Sequence, residues 1–253
     1  MAIEKILLNT RTGVTFPYSD ALAKRRHMRE IDIKDHPIRT LLSHDWVGRW
    51  KGETVVCIAS GPSLTDDEIE HVRKAHEAGA CKVIVVNNCH ERAPWADLHY
   101  ARDHEWWAGY RKSWCKFQGE KWTGCIRSAR QMGLHYVEVG KGYGLSTTAG
   151  MIYGGKNSGY QAIGLAHQMG ASRILLLGYE MNPKAEKLHF FGEHSVAAGL
   201  TNPTHIDMKR WRAYMGILAE DLEEIGISVV NCSSNTALKC FARGEINDEL
   251  RYN

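Results

Sequence analysis

Nowhere in the 253 residues does an apolar run reach the roughly 18 consecutive residues of a membrane-crossing helix, so no membrane span is expected. The start Met1-Ala2-Ile3-Glu4-Lys5 lacks the basic, apolar and small-residue succession of a secretory leader, and a cytoplasmic location is the expectation. C-x-x-C pairs are missing as well. The seven cysteines (Cys57, Cys81, Cys89, Cys115, Cys125, Cys232 and Cys240) are scattered and odd in number, which argues against both a disulfide framework and a cysteine zinc knuckle. Excess charge is also lacking: 32 Lys and Arg stand against 29 Asp and Glu, and a net charge of +3 does not by itself imply a nucleic-acid binder. Internal repeats and low-complexity segments are absent. What remains is an ordinary soluble composition, 43% hydrophobic and 24% charged, enough to bury the core of one large α/β domain or of one domain with insertions.

From Thr54 onward, apolar strand runs alternate with helical patterns. Strands are expected at 54 to 59, 82 to 87, 97 to 101, 135 to 139, 173 to 178 and 227 to 231, and helices at 65 to 78, 103 to 114, 158 to 169 and 207 to 225. The last carries Met208, Trp211, Met215, Leu218, Leu222 and Ile225 as one apolar stripe. The alternation predicts an α/β, Rossmann-like fold: a mostly parallel sheet with helices on both faces. Residues 1 to 50, with a strand-like Ile6-Leu7-Leu8 and a basic helical piece near 19 to 30, read as an N-terminal arm packed on a main domain at 51 to 253.

Ligands of such sheets sit beyond the carboxyl ends of the strands. Those ends read Ser60-Gly61-Pro62-Ser63, Asn87-Asn88-Cys89-His90, Arg102-Asp103-His104, Gly178-Tyr179-Glu180 and Asn231-Cys232-Ser233-Ser234-Asn235, all polar after apolar runs. The first passes straight into a helix, where free backbone N–H groups and the helix dipole suit a phosphate. It reads equally as an ordinary strand-to-helix turn with Thr65 as N-cap. Asn87 and Asn88 suit a base or sugar edge, or else close the strand as Asx turns.

A second helix start, Gly154-Gly155-Lys156-Asn157-Ser158-Gly159, comes one residue from a Walker A loop. That motif is rejected, because Asn157 stands at the magnesium-binding hydroxyl position and the preceding Leu145 to Ala149 is a weak strand. A phosphate or ribose contact with Ser158 as cap is expected, with a simple capped helix as the alternative. Between Gly178 and Asp207, a long connection with a lid or loop insertion at about 180 to 206 carries His189 and His194, candidate general bases because imidazole titrates near neutral pH. His189, His194, His205 and Glu193 match no zinc spacing, so no metal ligands are assigned. Basic residues from Arg102 to Arg130 share their span with Trp106, Trp107, Trp114 and Trp122, which suits stacking on bases or sugars or else an amphipathic surface with inward-packed rings.

Gly61-Pro62-Ser63-Leu64, Asn87, Asn157-Ser158-Gly159 with Ala162 and Ala166, and Ile174-Leu175-Leu176-Leu177-Gly178-Tyr179-Glu180 followed by a His-bearing loop occur in that order. Over residues 54 to 235 the pattern resembles the bacterial sialyltransferases of family 42, which use a CMP-sugar without a metal. It also resembles the domain of unknown function 115, which includes archaeal 6-hydroxymethylpterin diphosphokinases. The layout, including Pro94-Trp95-Ala96-Asp97 and His189-Phe190-Phe191-Gly192-Glu193-His194, is most similar to bacteriophage-encoded proteins of that group. The resemblance implies that Gly61, Pro62 and Ser63 face the nucleotide phosphates, Asn87 the nucleotide or donor sugar, and Ser158 and Gly159 the phosphate or ribose. It implies that Glu180 lies near the donor and that His189 or His194 is the base. The chain departs from the sialyltransferases in carrying Tyr179-Glu180 where they tend to have an aspartate.

Three functions are carried forward. The first is a transferase, most simply a glycosyltransferase, taking a CMP-, UDP- or similar nucleotide-sugar to a glycan or modified DNA base in a host cytoplasm. The second is a diphosphokinase using ATP and magnesium held by carboxylates such as Asp103 and Glu180. The third is a non-catalytic virion or assembly protein. A homo-oligomer is compatible with each.

Overall fold

The computed structural model describes residues 5–11, 14–32, 36–37, 40, 43–183, 185, 187–194 and 199–252. The first described elements are β1 (Lys5–Asn9), β2 (Thr15–Pro17), the single turn α1 (Asp20–Ala23) and β3 (Met28–Asp32), and the three strands form a separate antiparallel sheet of order β2-β1-β3. The basic helical piece expected near 19 to 30 is thus a single helical turn, Asp20–Ala23, and from Met28 the chain is strand. Met28 to Asp32 pair with β1 along its whole length, from Asn9 opposite Met28 to Lys5 opposite Asp32, and these ladder bonds override a helical pattern only one turn long.

From Thr54 the described residues form β4 (Thr54–Ile58), α2 (Asp66–Glu77), β5 (Lys82–Val86), β6 (Leu98–Tyr100), α3 (His104–Gly109), α4 (Arg111–Trp114), β7 (Glu120–Thr123), α5 (Ile126–Met132), β8 (His135–Tyr136), β9 (Glu138–Gly140), β10 (Met151–Tyr153), α6 (Ser158–Gln168), β11 (Arg173–Leu177), α7 (His205–Glu224), β12 (Ser228–Asn231), β13 (Ala242–Arg243) and α8 (Ile246–Glu249). Eight strands form one all-parallel sheet of order β13-β12-β11-β4-β5-β6-β7-β8. The fold is α/β and Rossmann-like, as the alternation predicts. Among the described residues no helix is long and apolar enough to cross a membrane.

The two-residue period of a strand divides the core in two. Val55, Cys57, Ile84, Val86, Ile174 and Leu176 face one side, joined by α6, α7 and the buried Trp46 and Trp50. Val56, Ile58, Val83, Val85, Leu175 and Leu177 face the other, against Ile69, Val72 and Ala75 of α2 and Ile246 of α8. Each such fully buried aliphatic side chain stabilises the fold by about 1.5–3 kcal/mol, which makes continuous apolar strands the strongest signal in the sequence.

Strand order also fixes where a ligand can sit. From β4 the chain steps outward through β5, β6, β7 and β8, then returns through α6 to place β11 on the opposite flank of β4, and continues outward to β12 and β13. The connections leaving β4 and β11 therefore diverge, which opens a crevice at their carboxyl ends. The expected 103-to-114 helix is divided at Tyr110 into α3 and α4. The expected 135-to-139 strand is divided between β8 of the main sheet and β9, which pairs with β10.

Candidate functional site

At that switch point lies a cavity of about 470 Å³. Its floor is the junction of two strand ends. The Gly61 N–H donates to the Gly178 carbonyl at 2.9 Å, and the Ala59 N–H to the Leu177 carbonyl at 2.8 Å. Side chains at these crossings would not fit: a β-carbon on Gly61 would overlap the Gly178 carbonyl and the Glu180 carboxylate, and one on Gly178 would overlap the Ala59 carbonyl. Gly178 is moreover at φ +70°, the left-handed region that glycine enters without penalty. The two glycines let the turns touch, bringing Ser60 beside the chain that carries Glu180 and His189.

Glu180 is 3% exposed. Its Oε1 accepts from the Ser63 N–H at 2.7 Å and the Ser63 hydroxyl at 2.6 Å. Burial raises its pKa above the ordinary carboxylate range, and the two Ser63 bonds work in the opposite direction. Oε2 is buried with no hydrogen-bond partner among the described residues. The seat expected to hold a phosphate at Ser63 is thus filled by the protein's own carboxylate, and Ser63 does not line the cavity, whereas Ser60, Gly61 and Pro62 do. Thr65 caps α2 in a reciprocal capping box with Glu68, so that helix start is satisfied internally.

The second helix start faces the cavity with donors to spare. Asn157, not Ser158, is the N-cap of α6: its side-chain oxygen accepts from the Tyr160 N–H at 3.0 Å. Ser158 therefore sits inside the first turn. The N–H groups of Ser158 and Gly159 have no acceptor among the described residues, and both residues line the cavity. Lys156, at φ +53°, lies just before them on the same wall. Tyr179 is buried structure, its hydroxyl donating to the Gly159 carbonyl at 3.0 Å and its N–H to Ser233 Oγ at 2.7 Å, and it ties β11, β12 and the start of α6 together.

Facing these groups, Ser60 Oγ and His189 Nδ1 are 3.0 Å apart. The Phe190 N–H, donating to the Ser60 carbonyl at 3.0 Å, anchors this part of the long connection to the β4 turn. His189 stacks on Phe191 with ring centres 4.9 Å apart and lies 5.0 Å from the His194 ring. Burial, aided by neighbouring His194, pushes the His189 pKa down to about 4, and burial lowers that of His194. His189 is a neutral imidazole at physiological pH, with a buried Nε2 that has no partner among the described residues. His194 is held at its backbone by Asn202, whose side chain accepts from the His194 N–H at 2.8 Å.

Ser60, Gly61, Pro62, Asn87, Asp103, Asn157, Ser158, Gly159, Gly178, Tyr179, Glu180, His189 and His194 all line the one cavity. Asn88 does not: it is buried behind the wall, where its side-chain oxygen accepts from Trp106 Nε1 at 3.0 Å. The tryptophans of the basic zone pack inward, with Trp107 and Trp122 fully buried and Trp106 at the cavity wall, so a stacking platform along that segment is not formed. Lys187, Asn202 and Trp211 also reach the cavity, though the sequence marked none of them as a site residue. The length of the connection was the signal for the first two, and Trp211 was read only as part of a core stripe. Among the described residues no three His, Cys, Asp or Glu side chains gather as metal donors.

No family model matches the chain, and no curated protein sequence does. Among solved structures it resembles the MAf glycosyltransferase from Magnetospirillum magneticum AMB-1, with a TM-score of 0.55 and 12% identity, covering 87% of this chain. The match spans 39% of the length of that protein. The likeness is one of fold: this chain carries a Rossmann-like sheet of the kind found in a glycosyltransferase.

Proposed function

We propose that the cavity binds a nucleotide-activated donor and that the protein is a glycosyltransferase-like transferase. One observation carries the proposal: unsatisfied polar groups of opposite character converge on a single cavity at the switch point of a parallel sheet. The free N–H groups of Ser158 and Gly159, with Lys156 beside them, suit the phosphate of the donor and of the departing nucleotide. The unpaired Glu180 Oε2 suits a donor hydroxyl or amine, since an ionised carboxylate oxygen only accepts. If His189 directs its Nδ1–H at Ser60 Oγ, its Nε2 lone pair is left to accept the proton of an acceptor hydroxyl as that oxygen attacks. The fold shared with a solved glycosyltransferase supports the same reading.

Titration calorimetry with CMP, UDP and ADP tests it directly. Binding of at least one, lost in Ser158→Pro and weakened in Glu180→Ala, is the expected result. Absence of binding to all three overturns the proposal. Strict dependence on ATP with magnesium would favour pyrophosphate transfer over glycosyl transfer.

A further inference from the structure

Behind the cavity wall lie two histidines that the chemistry above does not use. His90, on the 3-10 turn Asn87–Glu91, and His99, on β6, are 2% and 0% exposed, and their rings stack with centres 4.7 Å apart and planes inclined by 23°. Both point at one atom. The Asn87 carbonyl oxygen accepts from His90 Nδ1 at 2.8 Å and from His99 Nε2 at 2.9 Å. Asn87 itself is at φ +49°, a left-handed conformation that side chains rarely adopt. It lines the cavity, and its side-chain amide has no hydrogen-bond partner among the described residues.

We infer that His90 and His99 form a two-imidazole clamp on the Asn87 carbonyl, which fixes Asn87 in its left-handed conformation and so presents its side-chain amide to the bound nucleotide donor. His90 and His99 are thus positioning residues, and Asn87 is the group that touches the ligand. The inference rests on the donor-binding reading of the cavity.

The hydrogen bonds determine the proton positions. A carbonyl oxygen accepts and never donates, so both facing nitrogens carry hydrogen. Burial lowers the pKa of His90, and lowers that of His99 well below its ordinary value, so both rings are neutral near pH 7. His90 is therefore the Nδ1–H tautomer, and its Nε2 lies 3.1 Å from Ser113 Oγ, whose single hydrogen is shared between that nitrogen and the Tyr110 carbonyl at 3.0 Å. His99 is the Nε2–H tautomer, and its Nδ1 is buried with no partner among the described residues. A non-glycine residue in the left-handed region and a buried ring nitrogen without a partner each cost free energy, and such features persist together where the surrounding structure holds a working geometry.

Two measurements test the clamp. Ring 15N NMR of the whole chain at pH 7 is expected to show Nδ1–H for His90 and Nε2–H for His99; the reverse tautomer at either residue overturns the clamp. The variants must then obey the same atoms. Gln places its amide nitrogen near the reach of Nε2 and Asn near that of Nδ1, so His99→Gln and His90→Asn should keep wild-type nucleotide affinity. His99→Leu and His90→Leu should each weaken it about tenfold, the scale of one lost, well-placed hydrogen bond to the ligand. Asn87→Gly, which keeps the backbone and removes the amide, should lose affinity without lowering the melting temperature, so the inference does not depend on the leucine variants folding. Wild-type affinity in Asn87→Gly, or in a folded His99→Leu, overturns the clamp. Wild-type protein that binds none of CMP, UDP and ADP overturns the donor reading beneath it, while the tautomers are still read independently.

Discussion

Lowering the pH should weaken this protein in a way traceable to one ring. His189 has a folded-state pKa of about 4 against an ordinary 6.5, because burial and neighbouring His194 oppose its charge. Below pH 6.5 the unfolded chain binds a proton at this position that the folded chain refuses, so the contribution to stability is undiminished above pH 6.5 and falls as the pH drops toward 4. With about 1.36 kcal/mol per unit, the loss reaches about 2 kcal/mol at pH 5 and levels off near 3 kcal/mol below pH 4, the upper bound for a partly solvated ring. Other buried histidines titrate in the same direction, so the informative quantity is a difference: urea unfolding of wild type and His189→Gln at several pH values between 4 and 8. The wild type should lose stability relative to the variant across pH 6.5 to 4 and run parallel to it above pH 7. A gap that stays constant through that window would refute the picture of a buried neutral imidazole aimed at Ser60. The proposed role as proton acceptor would go with it.

Three further outcomes follow from the geometry. Gly178→Ala combines a left-handed backbone with overlap against the Ala59 carbonyl and should destabilise the fold by about 3 kcal/mol in chemical denaturation. Asn157→Asp keeps a competent cap on α6 but places a negative charge beside the Ser158 and Gly159 amides, so thermal stability should hold while calorimetric nucleotide affinity falls about tenfold. Lys156→Gln should weaken nucleotide binding a few-fold at low ionic strength, and the difference from wild type should shrink as salt is added, since this side chain is exposed.

The apolar runs that follow Thr54, Lys82 and Arg173 determined by themselves that these segments are buried parallel strands, because a strand covered on both faces has no room for polar alternation. The polar turns that follow them, and the cap-like start at Asn157, likewise marked the residues that meet at the cavity, since local composition dictates where an apolar run must stop. What the sequence could not supply was the partner of each polar atom. Ser63 reads as a phosphate donor until Glu180, more than a hundred positions away in the chain, takes both its hydrogens. Asn88 reads like Asn87 until the turn directs one residue to the wall behind and the other to the cavity. The four tryptophans of the basic zone read as a stacking surface or as core, and only packing decided for core. Strand order is the common reason: hydrophobic periodicity specifies that a segment is buried, whereas long-range closure of the chain specifies against what, and here it placed β11 beside β4 and opened the crevice between their turns.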